Sequence, residues 1–184
     1  MKITIWNVKG LSTPDKRHLV KQALVRSNSD IIAFQETKID KEKAISFIKS
    51  CKVWEGIFQE AIGTARGLGV IWNPSLVKVT LLEKVEHWML CTVYSFKENL
   101  NFPLINVYRP TKTLEKTQVW QVLTNKISVL GNDKIVVVGD FNALLDLDEK
   151  KGGLRMSNKV MEDFREFVMH NQLLDVVPKN RIFT

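Results

Sequence analysis

Three apolar, strand-like stretches of this sequence each end in a polar side chain that could bind a cation or move a proton. Asn7 closes the first stretch, Glu36 follows the second and Asp140 follows the third. A buried carboxylate is costly unless it is paired or bound to a metal. Hard divalent cations prefer oxygen ligands, and Mg²⁺ typically takes one or two carboxylates together with waters and phosphate oxygens. Glu36, with Asn7 or Asp140 nearby, would supply that set.

The third stretch ends in a compact pair of an acid and an amide. Asp140 and Asn142 are two residues apart, so in extended geometry both would point to one side of the chain and Phe141 to the other. Gly139, directly before them, permits the close approach of a neighbouring backbone. Taken singly, Asn7, Glu36 and the pair of Asp140 and Asn142 each also fit a plainer explanation, namely a turn stabilised by the side chain or a solvated loop.

Several other chemistries lack their sequence signals. The chain contains no GxxxxGK[ST] phosphate loop and no GxSxG nucleophile motif. Cys51 and Cys91 lie far apart and form no CxxC, which argues against a zinc site or a disulfide framework and is typical of a reducing compartment. Gly67 and Gly69 are better explained as part of a strand with a close neighbour than as a ligand loop.

The elements expected to position these residues alternate between strands and helices. Period-2 alternation and short apolar runs predict strands at Lys2–Val8, Asp30–Gln35, Lys52–Phe58, Gly67–Trp72, Val77–Glu83, Trp88–Phe96, Phe102–Tyr108, Lys134–Gly139, Leu173–Val177 and Arg181–Thr184. Helical spacing predicts helices that begin at Thr13-Pro14 and at Asp40, and helices over Thr113–Leu130 and Ser157–Asn171.

Apolar residues at helical spacing predict which face of each helix is buried. These faces are Leu19, Val20, Ala23 and Leu24 in the first helix, Ala44, Ile45, Ile48 and Cys51 in the second, Val119, Leu123, Ile127 and Leu130 in the third, and Val160, Met161, Phe164, Phe167 and Val168 in the fourth. Runs of strands with helices between them favour two packed sheets flanked by helices. We therefore predict one α+β domain over residues 1–184, a four-layer α/β sandwich with two mainly antiparallel sheets.

The composition is that of a globular protein with a basic balance. The 184 residues carry a formal net charge of +7, which favours polyanionic partners such as nucleic acid. The charge is scattered, and the densest stretches, Lys38–Lys43 and Lys150–Arg155, are not pure Lys/Arg runs, so charge alone is a weak signal. No signal-peptide core and no apolar run of membrane-spanning length is present. We expect an intracellular protein that contacts no membrane.

Taken in order, the motifs are far more specific than any one of them. They are Ile5–Leu11 (IWNVKGL), Ile32–Lys38 (IAFQETK), Gly67–Trp72 (GLGVIW), Ile105–Pro110 (INVYRP), Val136–Asn142 (VVVGDFN), Asp146–Gly153 (DLDEKKGG), Phe164–Phe167 and Leu173–Asp175. This series resembles the exonuclease III-like branch of the endonuclease/exonuclease/phosphatase superfamily over the whole chain. The last three stretches are similar to the endonuclease domains of plant LINE-type retroelements.

The resemblance implies a role for each matched residue. Glu36 would ligate Mg²⁺, with Mn²⁺ as an alternative, and Asn7 would orient it or lie in its shell. Tyr108 would contact the scissile phosphate, Asp140 would align or deprotonate the attacking water, and Asn142 would hold a phosphate oxygen in the transition state. The substrate-binding residues would be Asn106, Lys38 and Arg109, with duplex DNA as the partner and the nucleus as the site of action.

The resemblance also implies segments that this chain does not contain. The family pattern continues after a Phe-Thr like Phe183-Thr184 to an Arg-Leu-Asp-Arg-like motif and a Ser-Asp-His, and none of His18, His87 and His170 matches the family's catalytic histidine. We expect a C-terminally truncated domain with weak or no nuclease activity. Two alternatives stay open: an inert retroelement remnant, and a phosphatase or phosphodiesterase that acts on a phosphoester other than DNA.

Overall fold

The computed structural model describes residues 1–61, 67–109, 113–131, 134–149, 152 and 157–176, without the side chains of 113–117 and 148. The chain divides into two compact units. The first unit contains Met1–Tyr108 and Asn132–Asp140, and the second contains Arg109–Gly131 and Phe141–Thr184. The single domain over residues 1–184 stays a prediction, and the units are described separately below.

The elements follow the predicted order closely. In chain order they are β1 Ile3–Asn7, α1 Pro14–Ser27, β2 Ile31–Gln35, α2 Lys41–Ser50, β3 Glu55–Phe58, β4 Leu68–Trp72, β5 Val77–Val85, β6 Trp88–Ser95, β7 Leu100–Tyr108, α3 Thr113–Leu130, β8 Val136–Asp140 and α4 Asn158–His170, with a short 3₁₀ turn at Leu147–Glu149. The strand predicted at Leu173–Val177 is wrong over its described part, because residues 173–176 form no strand and Leu174 and Val176 are exposed. Val177 and the strand predicted at Arg181–Thr184 lie outside the described residues.

The eight strands of the described residues belong to the first unit and form two sheets of four. The strand order is β1-β2-β4-β3 in sheet 1 and β5-β6-β7-β8 in sheet 2. The β1–β2 and β7–β8 pairs are parallel, whereas the four other pairings are antiparallel. The α+β class with mainly antiparallel sheets is thus confirmed. Each parallel pair brings two carboxyl ends of strands to the same edge of its sheet.

The core of the first unit lies between the two sheets. Apolar side chains of both inner faces pack into one buried cluster, which includes Ala33, Leu68, Val70, Met89, Val93, Phe102 and Leu104. A second cluster lies on the outer face of sheet 1, where Phe34 and Ile71 pack against Val20 and Leu24 of α1 and Phe47 of α2. Sheet 1 is therefore covered on both faces, which explains why every residue of β2 is buried.

The last strand of sheet 2 is less buried than its sequence predicts. Lys134–Gly139 reads as a buried strand, but in β8 only Val138 is fully buried and the other four residues are half-buried. Among the described residues, β8 has one strand neighbour, β7, because it stands at the end of its sheet. An apolar run alone does not distinguish a central strand from one in this position.

Both helices of the first unit begin at the predicted caps. Thr13 accepts a hydrogen bond from Lys16 N, and Asp40 accepts one from Lys43 N, so each side chain satisfies a backbone donor of the first turn. The predicted inner faces are partly wrong: Leu19 and Ile45 are exposed. In α2 the buried residues are Ala44 and Phe47, followed by Cys51, and this three-and-four spacing leaves Ile45 on the outside.

The second unit is built on α3 and α4. Buried residues of α3 are Val119, Trp120, Leu123 and Ile127, and those of α4 are Val160, Met161, Phe164 and Phe167. The Trp120 ring stacks on Phe167 at a centroid distance of 4.6 Å and lies 5.1 Å from Phe164. Over the described ranges, no helix is long and apolar enough to cross a membrane.

Candidate active site

Two of the predicted site residues stand at the carboxyl end of the parallel pair in sheet 1. Asn7 is the last residue of β1 and pairs in register with Gln35, so Glu36 follows directly at the same edge. Glu36 has a left-handed backbone with φ of 54°, which turns the chain out of the strand. A residue other than glycine in this region costs on the order of 1 kcal/mol or more and commonly marks a functional position.

Two others stand at the carboxyl end of the parallel pair in sheet 2. Tyr108 ends β7 and pairs in register with Asp140, the last residue of β8. Tyr108 N also donates to His87 O at 2.9 Å, which ties this strand end to the β5–β6 turn. Gly139 has φ of 144°, and a Cβ there would lie 1.9 Å from Val107 O. Glycine is therefore required directly before Asp140, which confirms the predicted close approach.

These four side chains converge. Asn7 Nδ2 donates to Glu36 Oε1 at 3.1 Å and to Asp140 Oδ2 at 2.7 Å. The Tyr108 hydroxyl donates to the same Glu36 Oε1 at 3.3 Å. Lys9 N donates to Asn7 Oδ1 at 3.0 Å, and this bond turns the amide nitrogen of Asn7 towards the two carboxylates. One amide thus links a carboxylate of sheet 1 to a carboxylate of sheet 2.

The carboxylate of Glu36 has little contact with solvent but carries compensating partners. Glu36 is 7% exposed, and its Oε2 lies 3.2 Å from Lys38 Nζ. Burial of a carboxylate is tolerated when opposite charge and hydrogen bonds replace water. The lysine side chain itself is 44% exposed. Lys38 therefore places a positive charge at the open side of this cluster, where a phosphate group could meet it.

The sequence as a whole matches a known family. A profile described as the Endonuclease/Exonuclease/phosphatase family matches residues 5–168. The chain belongs to this family. The match contains Asn7, Glu36, Tyr108 and Asp140, the four residues whose side chains converge at the strand ends.

The chain is also similar to individual proteins, at lower identity. Craniofacial development protein 2 of Bos taurus is 26% identical over 201 residues, covering 99% of this chain but 32% of the relative, so the chain spans about a third of that protein. The AP endonuclease LMAP of Leishmania major has a TM-score of 0.73 at 13% identity, with 92% of this chain and 66% of that one covered. The 3′ phosphatase NExo of Neisseria, in a structure with a product DNA hairpin, has a TM-score of 0.67 at 21% identity, covering 92% and 71%. At these identities the structures support the fold of the family.

The donor chemistry of the cluster suits a hard divalent cation. Among the described residues, no group of three or more His, Cys, Asp or Glu could hold a metal. The carboxylates that this cluster offers to a cation are the two of Glu36 and Asp140. Carboxylate oxygens without thiolates or imidazoles fit Mg²⁺ or Mn²⁺ and not zinc. Asn7 directs its amide nitrogen at both carboxylates, so its geometry supports the orienting role and not that of a ligand.

Two predicted site residues lie in the second unit and bond to backbone. Asn142 Nδ2 donates to Arg109 O at 2.8 Å, while Arg109 Nη1 donates to Asn142 O at 3.3 Å and to Phe141 O at 3.5 Å. Asn142 has a left-handed backbone with φ of 44°. The extended geometry predicted from Asp140 through Asn142 is therefore wrong. Arg109 is fully buried with its guanidinium 5.1 Å above the Trp120 ring, and this burial lowers the pKa of Arg109 to about 10. In this structure Arg109 is a structural cation, and its contact with substrate stays a prediction.

Asn106 also has a structural place. It is fully buried between the sheets, where its Nδ2 donates to Phe34 O and Gly69 O, both at 3.1 Å, and its Oδ1 accepts from Gln35 Nε2 at 2.7 Å. These bonds give Asn106 a structural role, and its contact with substrate stays a prediction. The alternation of β7 carries the missed signal, because Leu104, Asn106 and Tyr108 share the inward face. Gln35 was missed altogether as a partner of this amide.

Proposed function

We propose that this chain is a Mg²⁺-dependent phosphodiester hydrolase that acts on DNA. The proposal rests on one observation: the carboxylates of Glu36 and Asp140, from different sheets, meet at the amide of Asn7 with the Tyr108 hydroxyl beside them. The family match and the DNA-bound structure of the Neisseria relative support the reaction class and the substrate.

In this proposal each residue has a separate task. Glu36 would hold the cation, whose charge would polarise a phosphoryl oxygen and neutralise the developing negative charge. Asp140 aligns the attacking water and accepts its proton. Asn7 keeps both carboxylates oriented through its two hydrogen bonds. Tyr108 contacts the scissile phosphate through its hydroxyl. Such preorganised polar groups account for much of the catalysis in phosphoryl transfer.

The substrate would be held mainly by its phosphate backbone. The net charge of +7 attracts a polyanion, and Lys38 stands beside Glu36 with an exposed side chain. Phosphate contacts by lysines tolerate any base sequence and weaken as salt rises. We therefore expect DNA affinity to fall steeply with ionic strength and to depend little on base sequence.

We also infer a retroelement origin, with action in the nucleus. The support is the series of motifs from Ile5 to Asp175, which resembles the endonuclease domain of plant LINE-type elements. The test is the gene: a reverse-transcriptase reading frame in the same transcription unit is expected. Its absence from the genomic locus would contradict the retroelement origin and would leave the hydrolase proposal intact.

A nicking assay tests the hydrolase proposal. Supercoiled plasmid is incubated with an excess of the purified chain and Mg²⁺, with parallel reactions in EDTA and with Asp140→Asn. We expect slow conversion to open circles that requires Mg²⁺ and is lost in the variant. Equal nicking by Asp140→Asn would contradict the proposal. No nicking by either protein would favour the inert-remnant alternative.

A second candidate is hydrolysis of a terminal or small phosphoester. The fold of the chain is also that of the Neisseria 3′ phosphatase, so the fold does not choose between these substrates. Rates are compared on plain duplex, on duplex with an abasic site, on an oligonucleotide with a 3′ phosphate and on an inositol phosphate. Cleavage restricted to the phosphomonoesters would favour the second candidate over an endonuclease.

A further inference from the structure

A polar bridge crosses the apolar core just below the candidate active site. The Asn106 side chain leaves β7 of sheet 2 and makes three hydrogen bonds with sheet 1, to Phe34 O, Gly69 O and Gln35 Nε2. Gln35 Nε2 makes a further bond to Ala33 O at 3.2 Å. Both side chains are buried, so the atoms that form these four bonds have exchanged water for a protein partner, whereas Gln35 Oε1 is buried without a hydrogen-bond partner.

The bridge lies one step from the residues that meet at the site. Gln35 directly precedes Glu36, and Asn106 is two residues before Tyr108 on the same inward face of β7. The contact between the Tyr108 hydroxyl and Glu36 Oε1, at 3.3 Å, joins the same two sheets. A displacement of one sheet relative to the other at this end would therefore separate the hydroxyl from the carboxylate.

The surroundings make this bridge unusual in the core. The neighbouring inward residues Ala33, Leu68 and Leu104 are apolar, and apolar contacts tolerate small sliding movements because they lack direction. Hydrogen bonds weaken steeply when their distance or angle departs from the ideal geometry. Three bonds from one amide to two strands of the other sheet therefore define the relative position of the sheets more sharply than side-chain packing does.

We propose that Gln35 and Asn106 are positioning residues, whose bridge sets the spacing of the two sheets so that Glu36 and Tyr108 meet correctly. The effect on metal binding and catalysis rests on the function proposed above, but the effect on the contact between Tyr108 and Glu36 does not. Neither Gln35 nor Asn106 touches the substrate in this account.

The chain offers a direct spectroscopic readout, because it contains only two tyrosines. Labelling of the tyrosine Cζ with ¹³C gives one signal for Tyr108 and one for Tyr94. The Tyr94 hydroxyl donates to Asn99 Oδ1, and Tyr94 pairs with Asn101, towards the opposite end of sheet 2 from Tyr108. In Asn106→Leu we expect the Tyr108 signal to move and the Tyr94 signal to stay. Gln35→Met keeps both carbonyl bonds of Asn106, so we expect a smaller change in the same direction.

A control variant removes packing without removing the bridge. Val93 is fully buried in the same core, and it pairs in register with Val79 and Phe102, towards the opposite end of sheet 2 from Tyr108. Val93→Ala lowers stability but leaves the bridge in place. We expect the Tyr108 signal to stay unchanged in this variant, which separates a positioning role from a general loss of stability.

Metal affinity extends the test to the proposed site. Residues that orient a ligand typically change metal affinity by about 10–100-fold when they are replaced. We expect Asn106→Leu to weaken Mn²⁺ binding by about tenfold, measured by electron paramagnetic resonance, and Val93→Ala to leave it unchanged. If Asn106→Leu does not fold, Gln35→Met replaces it in this comparison with Val93→Ala, with a smaller expected loss of Mn²⁺ affinity.

The outcomes for the bridge and for the proposed function differ. An unmoved Tyr108 signal in folded Asn106→Leu and Gln35→Met would overturn the positioning role. Equal movement of the Tyr108 signal in Val93→Ala would also overturn it. A wild-type chain that binds no Mn²⁺ would contradict the proposed function, while the tyrosine signals would still decide the bridge.

Discussion

The predicted site residues of the two units differ in what their polar atoms contact. In the first unit, the side chains of Asn7, Glu36, Tyr108 and Asp140 bond to one another. In the second unit, Arg109 and Asn142 bond to backbone carbonyls, each to the other's residue. A side chain that donates to backbone carbonyls mainly stabilises the local backbone conformation. A cluster of side chains with two carboxylates instead concentrates negative charge at one point.

This difference has an energetic consequence. Two carboxylates brought to one amide repel each other, and such an arrangement costs stability unless a cation or hydrogen bonds offset it. A buried guanidinium that donates to two carbonyls has the opposite effect, because its removal leaves those carbonyls without a donor. Substitutions in the carboxylate cluster should therefore change activity more than stability. Substitutions at Arg109 should change stability more than metal binding.

The largest expected effect is on activity, from Asp140→Asn. The side-chain oxygen of asparagine can still accept the Asn7 bond, but the charge and the proton acceptor are lost. We expect the nicking rate to fall by about 10²–10⁴-fold, typical of a positioned acid–base group, with no loss of thermal stability. Asp175→Asn, at an exposed position of the second unit, is the matched control and should keep the wild-type rate. A rate in Asp140→Asn within a few-fold of wild type would remove Asp140 from the mechanism.

The largest expected effect on stability comes from Gly139→Ala. The added Cβ would meet Val107 O at 1.9 Å, and neither backbone can move without disturbing the β7–β8 pair. We expect the free energy of unfolding to fall by about 3 kcal/mol or more, measured by urea denaturation. Gly131→Ala is the control, because its φ is 53° and nothing lies within 4 Å of the new Cβ. That variant should lose only about 1 kcal/mol.

A smaller loss is expected from Arg109→Met. The variant keeps the length of the side chain over Trp120 but removes the donor to the carbonyls of Phe141 and Asn142. We expect a loss of about 1–3 kcal/mol in the free energy of unfolding and unchanged Mn²⁺ affinity of the folded protein. Arg26→Met, at an exposed position in α1, should be neutral. A stable Arg109→Met protein would contradict the structural role of this cation.

The smallest effect is expected from Thr13→Ala in the first unit. Removal of the hydroxyl leaves the Lys16 N–H without its cap. The expected loss is about 1 kcal/mol, with metal affinity and activity per folded molecule unchanged, and Thr13→Ser should restore most of it. A change in Mn²⁺ affinity would show that any disturbance of the first unit alters the carboxylate cluster. The contrast between the carboxylate cluster and Arg109 would then lose its support.

Much of the fold follows from local patterns. Alternation and apolar runs predicted the eight strands seen in the described part of the chain. Thr13 and Asp40 predicted the starts of α1 and α2, because capping needs only a few neighbouring residues. The phase of a helix is harder to predict. Ile45 and Phe47 both fit an apolar stripe, and the surface of sheet 1 decides that Phe47 is buried. Helical spacing alone does not determine that choice.

The convergence of polar side chains was predictable where a polar residue ends an apolar strand. Asn7, Glu36 and Asp140 were all identified in this way, and the two parallel pairs bring them together. Asn106 and Arg109, for which the resemblance implied contact with substrate, instead have structural partners in this structure. Strand alternation places Asn106 inside, whereas the burial of Arg109 depends on Trp120, eleven positions further along, which no local pattern connects to it.

The most direct test of the central claim is a Mn²⁺ titration of the folded chain and of Glu36→Gln, followed by electron paramagnetic resonance. The account predicts one bound Mn²⁺ in the wild-type chain and an affinity weaker by at least about tenfold, roughly 1.4 kcal/mol, in Glu36→Gln. Glu42→Gln, at an exposed position in α2, should bind as the wild type does. Equal Mn²⁺ affinity in Glu36→Gln and the wild-type chain would contradict the assignment of this cluster as a metal-dependent active site.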